Sequence, residues 1–380
     1  MFLRLLLTVI VTASAASATA QPWDTVLGDA LDMPETDPHW VSVRGRGVAY
    51  LLDADSGRVG GTLDISNFTP AVRPAMDRER IYAYGSFYTR GTYGDRTDVL
   101  IGFDTNTTLP VSEVEIPPKA AGIGNPGMIG LINDRFIGVW NITPAITVSI
   151  VDLDSNEFVT EISIPNCAGV YPAGEGFISS CANGTIQYVE IDSNGEEAER
   201  FSSEVFFDLF EDPVLDYAVP SNDGWVFMTM EGMVYEAQVN GDEVAISGGW
   251  PINPPDTGAT DRNGMPLSND DDWRLGGRQP YAYSSNSEVL AVIMHQGGGQ
   301  ETFEDPGTEV WVFSTVSQHR GYRLAMEDGR MVNSVQITQD DDPLMLLSVG
   351  SDIEVREPVT GRLVRTIENL SGTIQNLYTD

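Results

Sequence analysis

Seven times along the 380-residue chain a short apolar run ends in a polar turn and is answered by a second β-rich run. The copies read LLDADSGRVGGTLD, IGFDTNTTLPVSEVEI, VSIVDLDSNEFVTEI, YVEIDSNGEEAERF, VYEAQVNGDEVAI, VWVFSTVSQHRGYRL and IEVREPVTGRLVRTI. With Asp53, Asp104, Asp152, Asp192, Gln238, Ser314 and Glu357 as equivalent turn positions, the intervals are roughly 51, 48, 40, 46, 76 and 43 residues, close to the period of a four-stranded propeller blade. A unit this small cannot bury its own apolar face, so each must stack on the next. The spacing predicts an all-β fold, a seven-bladed β-propeller of four-stranded antiparallel blades, closed so that no strand edge is left free.

The local pattern agrees. ITVSIVDL, GWVFMTM, EVLAVIM, EVWVFSTV and PLMLLSVG are β-branched or aromatic runs bounded by turn residues, and long helical periodicity is essentially absent. A further strand pair tends to precede each hairpin, as RIYAYGSFYT does before DVLIGFD. The interval of 76 residues contains GGWPINPPDTGATDRNGMPLSNDDDWRLGG, a long loop insertion near 250–280. It reads equally as a partner contact on one face or as a decoration.

The first twenty residues are a separate object. Arg4, an apolar stretch from Leu5 to Val11 and small residues ending Ala18-Thr19-Ala20 follow the order of a secretory signal peptide, too short to span a bilayer. Residues 1–20 are therefore expected to be removed, and 21–380 to form a single exported propeller domain with no membrane anchor. Cys167 and Cys181 are the only cysteines, and an even count fourteen residues apart in an exported chain suits a disulfide between neighbouring strands.

With 56 acidic against 21 basic side chains the formal charge is −35, which repels phosphate backbones and anionic lipid. Nucleic-acid and membrane partners are excluded on that ground. The acids are scattered over the whole chain, a pattern that suits salt tolerance or solubility better than steering of a cationic ligand.

No catalytic constellation stands out. His39, His295 and His319 have no metal-ligand spacing, and there is no G-x-S-x-G elbow. Aspartate-rich turns such as Asp53-Ala54-Asp55-Ser56-Gly57 lack the closing glutamate of an EF-hand and are expected to cap their own backbone. Gly45-Arg46-Gly47 and Gly297-Gly298-Gly299 make no dinucleotide fingerprint. Such a chain points to a scaffold or to one subunit of something larger.

Several stretches, taken together and in order, resemble the heavy subunit of the quinone-dependent methylamine and aromatic amine dehydrogenases. They are DPHWVSVRGRGVAYLLDADSGRVGGTLD, TRGTYGDRTDVLIGFDTNTTLPVSEVEIP, IPNCAGVYPAGEGFISSCANGTI, DDDWRLGGRQPYAY and SVQITQDDDPLMLLSVGSDIEVREPVTGRLVRTIENL. The resemblance implies a propeller with no catalytic residue, metal or cofactor of its own. Its companion would be a cysteine-rich light subunit bearing tryptophan tryptophylquinone, in a periplasmic heterotetramer of two heavy and two light chains. A primary amine would be oxidised to aldehyde and ammonia, with electrons passed to a copper protein or a cytochrome c.

By the same resemblance, Cys167 and Cys181 form the family's heavy-chain disulfide and the tryptophans are packing residues. Tyr88 falls where the family places an aromatic at the mouth of the amine channel, with Phe87 as the alternative one residue away. Family members carry Phe-Ser-Arg there, where this chain reads Phe87-Tyr88-Thr89-Arg90, so the preferred amine does not carry over. The alternatives are a propeller subunit of a quinohaemoprotein amine dehydrogenase and a non-enzymatic propeller binding module.

Overall fold

A computed structural model describes residues 32–119, 125–253 and 272–378. The proposed signal peptide and most of the long insertion, 254–271, lie outside these residues. The described residues form seven antiparallel sheets with almost no helix, each with a four-stranded path from the ring's axis outward.

Blade 2 shows the pattern: Val72–Pro74 lies innermost, followed by Arg80–Tyr88, Arg96–Asp104 and, outermost, Pro110–Glu115. Blades 3, 4 and 7 begin at Ile129, Cys167 and Val332 and repeat this order. Blade 5 begins at Val214 and gains Trp250–Pro251, and blade 6 gains Trp273–Leu275 beside its inner strand Tyr281–Ser284. These short additions flank the insertion. Blade 1 is assembled from both ends of the chain: Thr373–Asn376 is its inner strand, paired with Trp40–Arg44 in the register Val41↔Asn376 and Val43↔Ile374. That pairing closes the ring, so that the only free edges among the described residues are those of each blade's innermost and outermost strands.

All seven predicted turns belong to the outermost hairpins, one per blade. Each hairpin has one residue in the left-handed region: Gly57, Thr108, Asn156, Gly195, Gly241, Gln318 and Gly361. In six of the seven the register shifts by a bulge next to the turn, as between Leu51 and Leu52 and between Val355 and Arg356. A left-handed residue and an adjoining bulge are how a longer hairpin loop keeps the strands' right-handed twist. The aspartates do cap their own turns: Asp53 Oδ1 accepts from the Asp55 and Ser56 N–H groups, and Asp192 Oδ1 from Asn194 and Glu196. One position is corrected. Gln238 pairs with Ala245 inside a strand that runs on to Asn240, and the turn comes at Gly241-Asp242, where Gly241 takes the left-handed conformation at little cost.

The apolar runs are continuous because the middle strands are covered on both faces. Phe136–Asn141 and Thr147–Asp152 are buried at every position, whereas the outermost Arg58–Asp64 is mostly exposed. The core is divided into clusters between neighbouring blades, such as Leu51, Ile81 and Phe103 between blades 1 and 2. Each large side chain buried this way contributes roughly 1.5–3 kcal/mol.

Candidate functional site

Strands Arg80–Tyr88 and Arg96–Asp104 are the longest among the described residues, nine residues each, so their hairpin projects from the ring's upper face, where each second strand ends. Tyr88 stands opposite Arg96 and Phe87 opposite Thr97. The Tyr88 ring packs edge-on against Phe68, centroids 5.7 Å apart, and the Arg96 guanidinium lies 5.9 Å from the Tyr88 centroid. Side chains alternate along a strand, so Phe87 points to the other side of the sheet, where it stays 39% exposed. Gly85 is required beneath it: a Cβ there would lie 2.5 Å from Ser66 Cβ and 3.2 Å from Phe87 Cε2.

Behind Tyr88 is an ionic cluster. Arg96 grips Asp98 through both carboxylate oxygens, Nε to Oδ2 at 2.7 Å and Nη2 to Oδ1 at 2.8 Å. Ser86 Oγ donates to the same Oδ1, and Lys119 Nζ approaches it at 3.2 Å while lying 4.2 Å from the Tyr84 ring centroid. Burial alone would raise the Asp98 pKa, but the hydrogen bonds from Arg96 and Ser86 and the charge of Lys119 outweigh it and hold the carboxylate below its usual range. Burial lowers Lys119 to about 8, partly opposed by Asp98. At neutral pH the cluster is charged, a fixed backing for the strand that carries Phe87 and Tyr88.

The same face carries the disulfide. Cys167 and Cys181 are directly opposed on the two inner strands of blade 4, Cα atoms 4.0 Å apart, and Trp140 Nε1 donates to the Cys167 carbonyl at 3.0 Å. Trp225 and Trp311 likewise donate their indole N–H groups, to Pro172 O and Glu309, so these tryptophans are packing residues. Most exposed large apolar side chains on this face belong to blades 2 to 5, namely Phe87, Tyr93, Ile142, Val205, Leu209 and Phe210, the last 88% exposed, while Met331 stands apart on blade 7. On the opposite face they are dispersed around the outer hairpins, as at Leu109, Val316 and Val359.

At the centre of the upper face a cavity of about 300 Å³ is lined by Arg44, Arg278, Asp216 and Asn125. Asp216 opens onto this cavity while protein surrounds its carboxyl, and that enclosure raises its pKa. Arg44 is lowered by burial and by the neighbouring charge of Arg278. Among the described residues no cluster of His, Cys, Asp or Glu is arranged to hold a metal ion.

Fold and face together define a closed seven-bladed propeller whose exposed apolar side chains on one face are concentrated over blades 2 to 5. The family model of the methylamine dehydrogenase heavy chain matches residues 32–379, and the chain belongs to that family. It is similar to the methylamine dehydrogenase heavy chain of Methylophilus methylotrophus, 25% identical over 84% of this chain and 77% of that one. It resembles the heavy chain of Methylorubrum extorquens equally, 25% identical over 87% of this chain and 78% of the relative. Among solved structures, a periplasmic gluconolactonase of Pseudomonas aeruginosa superposes with a TM-score of 0.55 at 14% identity, covering 90% of this chain and 99% of that one. At that identity the likeness concerns the fold alone.

The structure brings Phe87, Tyr88 and the Arg96-Thr97-Asp98 segment together, and places the disulfide two blades away. Reading the sequence did not single out Lys119, although a signal was there: it is the only lysine in the chain. Arg44 and Asp216 carried no local pattern, since strands distant in sequence bring them to one channel.

Proposed function

We propose that this chain is the heavy subunit of a periplasmic amine dehydrogenase, exported by its N-terminal leader, and that the sector from Phe87 to Phe210 seats a cysteine-rich light subunit. The observation that carries this reading is the family match over residues 32–379. The concentration of exposed apolar side chains on blades 2 to 5 of one face supports it, because exposed apolar groups gathered on one face suit a partner contact. The light subunit's tryptophan tryptophylquinone supplies the redox chemistry by which a primary amine becomes an aldehyde and ammonia, with electrons leaving to a periplasmic copper protein or cytochrome. Both cysteines of this chain are committed to one disulfide, which fits a subunit that is not the cysteine-rich one.

The work of this chain is then to hold and to exclude. Phe68 and Arg96 fix Tyr88 at the rim, Phe87 adds an apolar lip, and the covered face keeps bulk water from the reacting amine. Purification from the native host tests the whole reading. A co-eluting small chain with tryptophylquinone absorbance, in a two-plus-two assembly, is expected, and the isolated heavy chain is expected to oxidise no amine. A haem-bearing partner, or a lone colourless propeller, would overturn it.

A further inference from the structure

The lower half of the central channel is a second cavity, about 480 Å³, reaching the face opposite the aromatic rim. Its wall is built from the inner strands: Arg73 of blade 2, Tyr217 of blade 5, Gln336 of blade 7, and Gln375 and Asn376 of blade 1, with Gln279 just before the inner strand of blade 6. Tyr217 also lines the upper cavity and so stands between the two.

Charge distribution sets this cavity apart. In a chain of net charge −35, its lining holds two arginines, Arg73 and Arg78, and a single carboxylate, Asp223. Arg73 donates to three backbone carbonyls, those of Ile129 at 2.9 Å, Val72 at 3.1 Å and Pro126 at 2.5 Å, and no carboxylate lies within ion-pair distance of it among the described residues. Three of its five N–H groups are used this way, leaving two. Protein encloses the guanidinium, and the surface it keeps open faces the cavity. Enclosure without a counter-ion lowers its pKa to about 10. Such a charge is costly unless something neutralises it. A second unmet group lies in the same wall: Asn376 Oδ1 is buried without a hydrogen-bond partner, while Asn376 Nδ2 donates to Ile337 O at 2.7 Å.

We propose that this lower cavity binds a small organic carboxylate, with the carboxylate group on Arg73 and the polar remainder of the molecule against the amide wall. A guanidinium with spare N–H groups matches the planar two-oxygen geometry of a carboxylate. The amides supply both donors and acceptors for hydroxyl or second carboxyl groups, and the volume suits a small ligand. This site lies on the other side of Tyr217 from the aromatic rim and does not depend on the amine dehydrogenase reading.

Isothermal titration calorimetry of the full chain with glutarate and with citrate, against sodium phosphate and sodium chloride at matched ionic strength, tests it. Saturable one-to-one binding of at least one of the two acids is expected, lost in Arg73→Lys. Should Arg73→Lys fail to fold, Gln336→Glu decides, since it keeps the side-chain oxygen that accepts from the Ile337 N–H and places a negative charge in the wall. Affinity is expected to fall about tenfold or more in that variant. No saturable binding of either acid, equally tight binding of phosphate, or unchanged affinity in a folded Gln336→Glu would overturn the proposal.

Discussion

The ammonium of Lys119 lies 3.2 Å from the carboxylate of Asp98, and the two side chains are only 2% and 1% exposed. The one lysine of the chain is thus spent on a buried ion pair that ties the connection between blades 2 and 3 to the strand opposite Phe87 and Tyr88. Arg96 completes the pair from the solvent side, so the carboxylate is shared between a buried cation and a half-exposed one.

Removing one partner of such a pair leaves an uncompensated buried charge. Asp98→Asn is expected to cost about 3–5 kcal/mol, whereas Asp98→Asn combined with Lys119→Met should recover much of that loss, because removing the Lys119 ammonium as well leaves no uncompensated buried charge. Urea unfolding of the two singles and the double closes the cycle. Strictly additive losses would show that the two groups are not coupled.

His39 fastens the ring closure at the lower face. Its Nδ1 meets Asp55 of blade 1 at 2.8 Å, and its Nε2 meets Asp340 at 3.2 Å and the Asp342 carbonyl at 3.1 Å, both in blade 7. Burial lowers its pKa, but the bond to Asp55 and the charges of Asp340 and Asp55 outweigh burial and leave it raised above 6.5. A raised folded pKa stabilises fully below the unfolded value, and the contribution disappears as pH rises through the folded one. The unfolding midpoint should therefore fall as pH rises from 6.5, and His39→Asn should flatten that part of the profile. Parallel profiles for the two proteins would dismiss the clasp.

How much of this was legible in the sequence follows from what each feature depends on. The blades were visible because a strand pair and its turn are local: Asp53 caps Ser56, and Cys167 faces Cys181 across one hairpin. Gln238 misled because in this copy the strand runs two residues further, to Asn240, and its aspartate, Asp242, lies inside the turn rather than before it. The residues of the central channel were not legible, since Arg73, Tyr217, Gln336 and Asn376 sit on four different inner strands and meet only when the ring closes. Lys119 was visible as a composition anomaly, but its partner Asp98, twenty-one residues earlier, was not.

Two outer hairpins place an ordinary side chain where the other turns use glycine or asparagine: Thr108 at φ 58° and Gln318 at φ 57°. A β-branched residue is the less tolerated of the two there, and the left-handed region costs it roughly 1–2 kcal/mol. Glycine removes that cost but gives back about 0.5–1 kcal/mol through the freer unfolded chain. Thr108→Gly should therefore stabilise by up to about 1 kcal/mol, seen as a higher thermal midpoint. A lower midpoint would mean that the packing of the Thr108 methyl near Gly61 outweighs the backbone term.

Tyr88 gives the sharpest check on the rim. Under the proposed function, the ring held between Phe68 and Arg96 would limit the width of the amine's entrance, and one methylene of fit is worth roughly 1–3 kcal/mol. Tyr88→Ala should shift the ratio of kcat/KM for a bulky over a small primary amine by about tenfold or more towards the bulky one. Tyr88→Phe keeps the ring and should leave the ratio near that of the parent. Phe87→Ala separates the two registers, because its ring lies on the other side of the sheet: a shift there and none at Tyr88 moves the entrance to Phe87. Selectivity unchanged in both alanine variants would remove this rim from substrate entry altogether, leaving Tyr88 as packing for Phe68 and Arg96.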